Sequence, residues 1–168
     1  MPQEVDLVVV DDSGLLGLVD TPSYVTFVSE DWEYDELIRH FAAEMQRGTL
    51  LVWDCADGGN DYRVRVRDRL STQQGFREAT SEIVATGNRL HLASYTALTM
   101  AAQFRDCALP GEHEEDLAIP VVPGRYRVRI VQMYDPEALE HLNGEPHFLV
   151  EMELGHAERW RDVAWRAA

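Results

Sequence analysis

Residues 61–70 keep a strict period of two. Tyr62, Val64 and Val66 fall on one parity, and Arg63, Arg65, Arg67 and Arg69 on the other. Successive side chains of a β-strand point to opposite faces, so this run reads as a half-buried strand with one apolar and one cationic face. Residues 125–133 repeat the pattern, with Tyr126, Val128 and Ile130 opposed to Arg125, Arg127 and Arg129. Two such strands commit the chain to a sheet with a core on one side.

Further strands are expected over residues 6–10, 24–28, 49–55, 76–86, 89–94, 117–122 and 148–154, all short runs rich in apolar and β-branched residues. Turn clusters punctuate them, among them Asp11-Asp12-Ser13-Gly14, Ala56-Asp57-Gly58-Gly59-Asn60 and Pro123-Gly124. The pattern suggests two hairpins, 49–55 with 61–70 and 76–86 with 89–94. Pro120 makes 117–122 an edge strand. Residues 95–104 have apolar spacing that permits a helix. Their Thr-rich start and the following Leu109-Pro110 lead to a strand or irregular reading. A helical turn is expected at Asp135-Pro136-Glu137 and another over residues 159–166.

Residues 31–47 differ. Tyr34, Leu37, Ile38, Phe41, Ala42 and Met45 line one face of a helix. Ser29 or Asp31 is the expected cap, and Glu30, Asp31, Glu33, Asp35 and Glu36 complement the positive end of its dipole. Arg47 and Gly48 stop it. About eight or nine strands and one good helix imply a mainly β protein, a β-sandwich with one amphipathic helix; a partly open β-barrel is the alternative. No linker composition divides the chain, so residues 1–168 read as a single domain.

Charge narrows the function. The 168 residues carry 30 acids against 15 arginines and no lysine, a net of −15. Residues 1–62 hold 14 acids and only Arg39 and Arg47, whereas residues 63–111 are mildly basic. Such a surface repels phosphates, which disfavours nucleic acid and anionic lipid as partners. No apolar run nears the roughly 18 residues of a membrane span. The first 12 residues have no basic segment of a secretory signal. Cys55 and Cys107 form no C-x-x-C motif. A cytoplasmic protein with reduced, buried thiols is expected.

Chemistry-bearing motifs are absent from the sequence. There is no G-x-S-x-G, and His40, His91, His113, His141, His147 and His156 fall into no zinc spacing. Asp54, Asp57 and Asp61 flank a Gly-Gly turn without the register of a calcium loop. Gly58-Gly59 and Gly14-x-x-Gly17 lack the context of a phosphate loop. Neither cofactor nor metal is implied. Two surface features remain. One is the acidic helix start, Asp31, Trp32, Glu33, Tyr34, Asp35 and Glu36, read as a partner-binding surface with Trp32 or Tyr34 as aromatic anchor. The other is the pair of stripes Arg63, Arg65, Arg67, Arg69 and Arg125, Arg127, Arg129. These read as a solvated sheet face paired with nearby acids, or as a local anion site.

The order of segments from the alternating strand at 62–69, through Thr86-Gly87-Asn88-Arg89-Leu90-His91-Leu92-Ala93-Ser94 and Leu109-Pro110, to Val122-Pro123-Gly124-Arg125-Tyr126-Arg127-Val128 resembles the competence protein J family. These are small bacterial inhibitors of a DNA-entry nuclease. The chain also resembles related immunity-type proteins of β-sandwich character. The resemblance covers roughly residues 60–133 and carries over no functional residues. It implies an inhibitor or immunity-type protein that occludes a basic partner such as a nuclease or toxin, which fits the acidity. The other reading is a small-molecule or carbohydrate-binding sandwich, with four tryptophans and six tyrosines to stack on a ligand, or an enzyme without a readable motif.

Overall fold

In the computed structural model, which describes residues 4–138 and 144–166, the two alternating strands lie in one mixed sheet. The elements are β1 (Glu4–Asp11), β2 (Leu15–Val19), α1 (Tyr34–Gln46), β3 (Leu50–Asp54), β4 (Asn60–Arg67), β5 (Arg77–Ala85), β6 (Arg89–Ser94), α2 (Tyr95–Gln103), β7 (Ala118–Pro120), β8 (Gly124–Gln132) and β9 (Phe148–Leu154), with a 3-10 turn at Glu115–Leu117. Their order is β1-β4-β9-β8-β5 in a five-stranded sheet and β3-β2-β6-β7 in a four-stranded one. Among the strand pairs of the described residues only β4 and β9 run parallel. This is a β-sandwich; the sheets do not close into the barrel.

The sheets bury Tyr62, Val64, Val66, Val128, Ile130, Phe148 and Val150 from one side against Leu16, Leu18, Leu51, Trp53, Leu90 and Leu92 from the other. The second face of the four-stranded sheet is covered too. Leu15, Val19, Leu50 and Val52 meet Leu37, Phe41 and Met45 of α1 and Leu98 and Ala102 of α2. A sheet buried on both faces has no polar parity, so β2 and β3 read as unbroken apolar runs.

That layering accounts for most departures from the sequence reading. β2 is an additional strand, Leu-Leu-Gly-Leu-Val, with no alternation to signal it. Both expected hairpins are instead crossings between sheets: β3 pairs with β2 and β4 with β1, while β5 pairs with β8 and β6 with β2 and β7. Residues 24–28 form no strand. Their backbone is used by side chains and helix ends: Val25 N donates to Glu44 Oε1 at 2.8 Å and Val28 N to Ala102 O at 2.8 Å.

Residues 95–103 are helical, because the Ser94 hydroxyl accepts from Ala97 N at 3.1 Å and caps the first turn. α1 begins at Tyr34, three residues later than the periodicity suggested. Its N-cap position is Glu33, and no side chain caps it; Ser29 instead accepts from Asp31 N. Arg47 and Gly48, at φ +77°, end it as expected.

The C-terminal segment forms no helical turn. It runs beside β3, where Asp54 N donates to Ala164 O at 2.9 Å and Ala164 N to Val52 O at 3.0 Å. Arg77 pins this segment by stacking its guanidinium 4.3 Å from the Trp165 ring. β7 is an edge strand ending at Pro120.

Candidate functional site

The outer face of the five-stranded sheet holds the arginine stripes, and its chemistry follows from the register. Arg65 of β4 is opposite Asp6 of β1, and Arg67 lies between Glu4 of β1 and Glu151 of β9; Arg127 of β8 lies between Glu153 of β9 and Glu82 of β5, and Arg129 is opposite Glu151 and reaches Glu78 of β5 diagonally. Acid and arginine columns therefore alternate across the sheet. Arg65 Nε is 2.8 Å from Asp6 Oδ1 and 3.2 Å from Glu4 Oε1. Arg125 pairs with Glu82 at 3.6 Å and Arg63 donates to Glu145 O at 3.0 Å. Arg69 and Arg127 are exposed.

At the centre, Glu151 is fully buried and is held by Arg67 at 3.0 Å, Arg129 at 2.8 Å, and the Ser71 amide and hydroxyl at 3.0 and 2.5 Å. Arg129 also reaches Glu78 at 2.5 Å and the carbonyl of Gln73 at 2.6 Å. Most of the stripe is thus neutralised by its own sheet.

The other side of the molecule is different. Among the described residues, Asp31, Glu33, Asp35 and Glu36 have no ion-pair partner within 4 Å. Asp31, Glu33 and Asp35 are exposed and Glu36 half-buried. Of the two aromatic candidates, Tyr34 is 47% exposed, whereas Trp32 packs against the α1–α2 core. The structure thus leaves Asp31, Glu33, Tyr34 and Asp35 exposed around the start of α1 and turns Trp32 partly inward.

Next to this helix start lies α2. Val28 and Ser29 tie to its last turn through Ala102 O. Tyr95, in its first turn, has its hydroxyl pushed up by burial and by the nearby Tyr34 and Asp11. Beyond α2 opens a groove of about 750 Å³, walled by Val8 and Val10 of β1, Thr96, Ala97 and Met100 of α2, and the 107–117 loop. Asp11 builds its floor, accepting from Tyr95 N at 2.8 Å and from Gly14 N at 2.6 Å. Asp12, Glu112 and Glu114 supply charge, and among the described residues no arginine lines it. Burial raises the Glu114 carboxyl, Ser94 bonds oppose this, and Asp11 and Asp116 push it up further.

The sequence marked Asp11-Asp12 only as part of a turn, with Glu112 and Glu114 far along the chain. Nothing in it joined them, because the wall between them, α2, was not resolved as a helix. Cys55 is buried, with its thiol pushed up chiefly by burial, but Cys107 is only half-buried and lines the groove, contrary to the expectation of two buried thiols.

A second cluster sits at the β3–β4 turn. Asp57 accepts from both Tyr62 and Tyr134, the latter at 2.7 Å, and both rings pack edge-on against His147. His147 Nδ1 accepts from Arg63 N at 3.0 Å, so its proton sits on Nε2, beside the Asn60 amide. Asp57, the two tyrosine hydroxyls and His147 Nδ1 are hydrogen-bonded within the protein, which makes the cluster a brace for that end of the sandwich. His91 is buried on β6, His40 bonds Val25 O at 2.8 Å, and His113 is an exposed loop residue; His141 lies outside the described residues. Among the described residues no group of three or more potential ligands converges for a metal ion, and no helix is long and apolar enough to cross a membrane.

No family model matches the chain, and no curated protein does. Two solved structures are similar. One, described as crocagin biosynthetic gene J, superposes with a TM-score of 0.57 over 90% of this chain and 95% of its own, at 15% identity. The other is ComJ, inhibitor of the DNA degrading activity of NucA, from Bacillus subtilis, with a TM-score of 0.50 over 90% of this chain and 96% of its own, at 8% identity. The likeness extends well beyond residues 60–133, on which the sequence resemblance rested. The chain shares its fold, though little of its sequence, with ComJ and the crocagin protein.

Proposed function

We propose that the chain is a non-catalytic, inhibitor-type binding protein, acting as one cytoplasmic domain, whose acidic side occludes a basic partner such as a nuclease or toxin. One observation carries this reading: the charges are sorted. On the outer sheet face Glu4, Asp6, Glu78, Glu82 and Glu151 pair with arginines, while among the described residues Asp31, Glu33, Asp35 and Glu36 at the start of α1 have no ion-pair partner. An unneutralised acidic face accelerates encounter with a cationic protein and occupies the surface where that protein would take a phosphate backbone. The shared fold with a nuclease inhibitor adds support.

The small-molecule reading has the groove in its favour, with Glu114 raised inside it. Among the described residues no tryptophan or tyrosine lines that groove, so these offer no stacking platform for a sugar.

The test is affinity capture from the source organism at low and high salt, with a variant carrying Asp31→Arg, Glu33→Arg, Asp35→Arg and Glu36→Arg. Basic proteins retained by the native chain at low salt, lost at high salt and lost by the variant are the expected result. Equal capture by both chains, or capture of no basic protein, overturns the reading.

A further inference from the structure

Sheet edges invite further pairing, and proteins commonly cover or blunt them. Three of the four edges here are treated that way. β3 is bridged by Ala164, and β7 is three residues long and ends in proline. On β5, Val84 N donates to Gly48 O at 2.8 Å and Thr80 O accepts from Trp160 Nε1 at 2.9 Å. β1 is the exception. It is eight residues long, it pairs with β4 on one side, and among the described residues no strand pairs with its other side. It also exposes two large apolar side chains, Val8 at 51% and Val10 at 67%. The groove runs along this open edge, with Met100, itself 44% exposed, on the facing wall.

We infer that the basic partner lays an extended segment of alternating basic and apolar residues along the open edge of β1, as an added antiparallel or parallel strand. This rests on the proposed binding function and gives it a docking mode. Side chains of an added strand alternate between faces. One set lies beside Val8 and Val10 and gains by being apolar. The other faces α2 and the 107–117 loop, where Asp12, Glu112 and Glu114 require cations and Met100 can cover the aliphatic stems of arginine or lysine.

Charge also argues against a second copy of this chain as the occupant. Antiparallel pairing of β1 with itself would set Asp11 and Asp12 of one copy near Glu4 of the other, like charges at close quarters.

The probe is a capped, fluorescently labelled peptide of alternating arginine and valine, about eight residues long to match an ordinary strand. It is measured against the native chain by anisotropy and by amide shift mapping. Two controls separate the forces: the same peptide N-methylated at alternate residues, which keeps charge but cannot extend the ladder, and a glutamate–valine peptide. Val10→Arg, at an exposed position, sets a like charge against the arginine peptide beside the edge.

The native chain binds the arginine–valine peptide, with shifts centred on β1. N-methylation weakens it by about tenfold or more, the scale of a few lost hydrogen bonds, and Val10→Arg weakens it by charge repulsion and loss of an apolar contact. Equal binding of the N-methylated peptide, equal binding of the glutamate peptide, or shifts confined to residues 31–36 would overturn strand addition. So would a dimer in sedimentation that Val10→Arg dissolves. If the peptide fails to bind while the acidic side still captures a basic protein in a salt-sensitive way, strand addition falls and the proposed function stands.

Discussion

Glu151 accepts from Arg129 at 2.8 Å on the outer sheet face, beneath Ser71 and Gln73, and Glu151 has no solvent exposure at all. The pair survives there because every remaining carboxylate position is used, by Arg67 and by the Ser71 amide and hydroxyl. Removing Glu151 leaves Arg129 and Arg67 with only the part-exposed Glu78 and Glu4 as partners, at a cost of about 3–5 kcal/mol. Glu151→Ala is therefore expected to lower stability by that amount in urea unfolding. Arg65→Ala, whose partners Asp6 and Glu4 are largely exposed, should cost under about 1 kcal/mol. Equal effects at the two positions would refute the assignment of Glu151 as the centre of the network.

The same carboxylate sets one limb of a pH dependence. Burial alone would raise Glu151, but bonds from Ser71, Arg129 and Arg67 outweigh it and hold the group low. Its stabilisation is full above the ordinary carboxylate range, about 4.3, and is lost as pH falls through the lower folded value. His147 and His91 make another limb. Burial lowers both, helped by Arg63 and Arg89 respectively. The unfolded chain takes up these protons first, so stability begins to fall as pH drops below about 6.5. Two limbs are expected in stability measured against pH. His147→Asn, which retains an acceptor for the Arg63 amide, should flatten the upper limb and leave the lower one in place.

How much of this was legible depended on whether a segment had two different faces. β4 and β8 were read correctly because Val64 and Val128 are buried while Arg63 and Arg127 are exposed. α1 was visible from Leu37, Ile38, Phe41 and Met45 on one face, although its first turn was overextended through the acids before it. β2 was invisible because Leu15 and Leu16 are both buried, one under the helices and the other between the sheets. Pairing was misread because adjacency in sequence favours hairpins, and here the chain crosses between sheets at both Gly-containing turns. The acidic helix start was legible as composition. The groove was not, since its walls come from β1, α2 and the 107–117 loop.

Gly17 tests the layering directly. A Cβ there would lie 3.1 Å from Leu98 Cδ1 and 3.4 Å from Leu51 O. Glycine in the middle of β2 lets α2 pack close to the sheet. Gly17→Ala should cost about 1–3 kcal/mol by overpacking, despite the better strand propensity of alanine. Adding Leu98→Val to the same chain should recover part of the loss. Independent, additive effects of the two substitutions in denaturant unfolding would argue against the contact.

The two thiols should behave differently. Cys55 is sealed in the core and its thiol is pushed up chiefly by burial, which suppresses the reactive thiolate. Cys107 is half-buried on the groove wall. Alkylation of the native protein followed by mass spectrometry should find modification at Cys107 alone, with Cys55 reacting only in denaturant. Early modification of Cys55 would contradict its placement.

Asp35 and Glu36 separate binding from stability. Both sit in the first turn of α1, where a carboxylate gains about 0.3–1 kcal/mol from the helix dipole. Neither has an ion-pair partner among the described residues, so reversing them removes no folded-state salt bridge. The double variant Asp35→Lys, Glu36→Lys should therefore lose only about 1–2 kcal/mol of stability. If these acids steer a basic partner, its association rate should fall by about tenfold or more at low salt and converge with that of the native chain at high salt, where screening shortens the reach of both fields. Stopped-flow or surface-binding kinetics across a salt series measure this. A rate unaffected at low salt would mean that the exposed carboxylates serve the helix and not the partner.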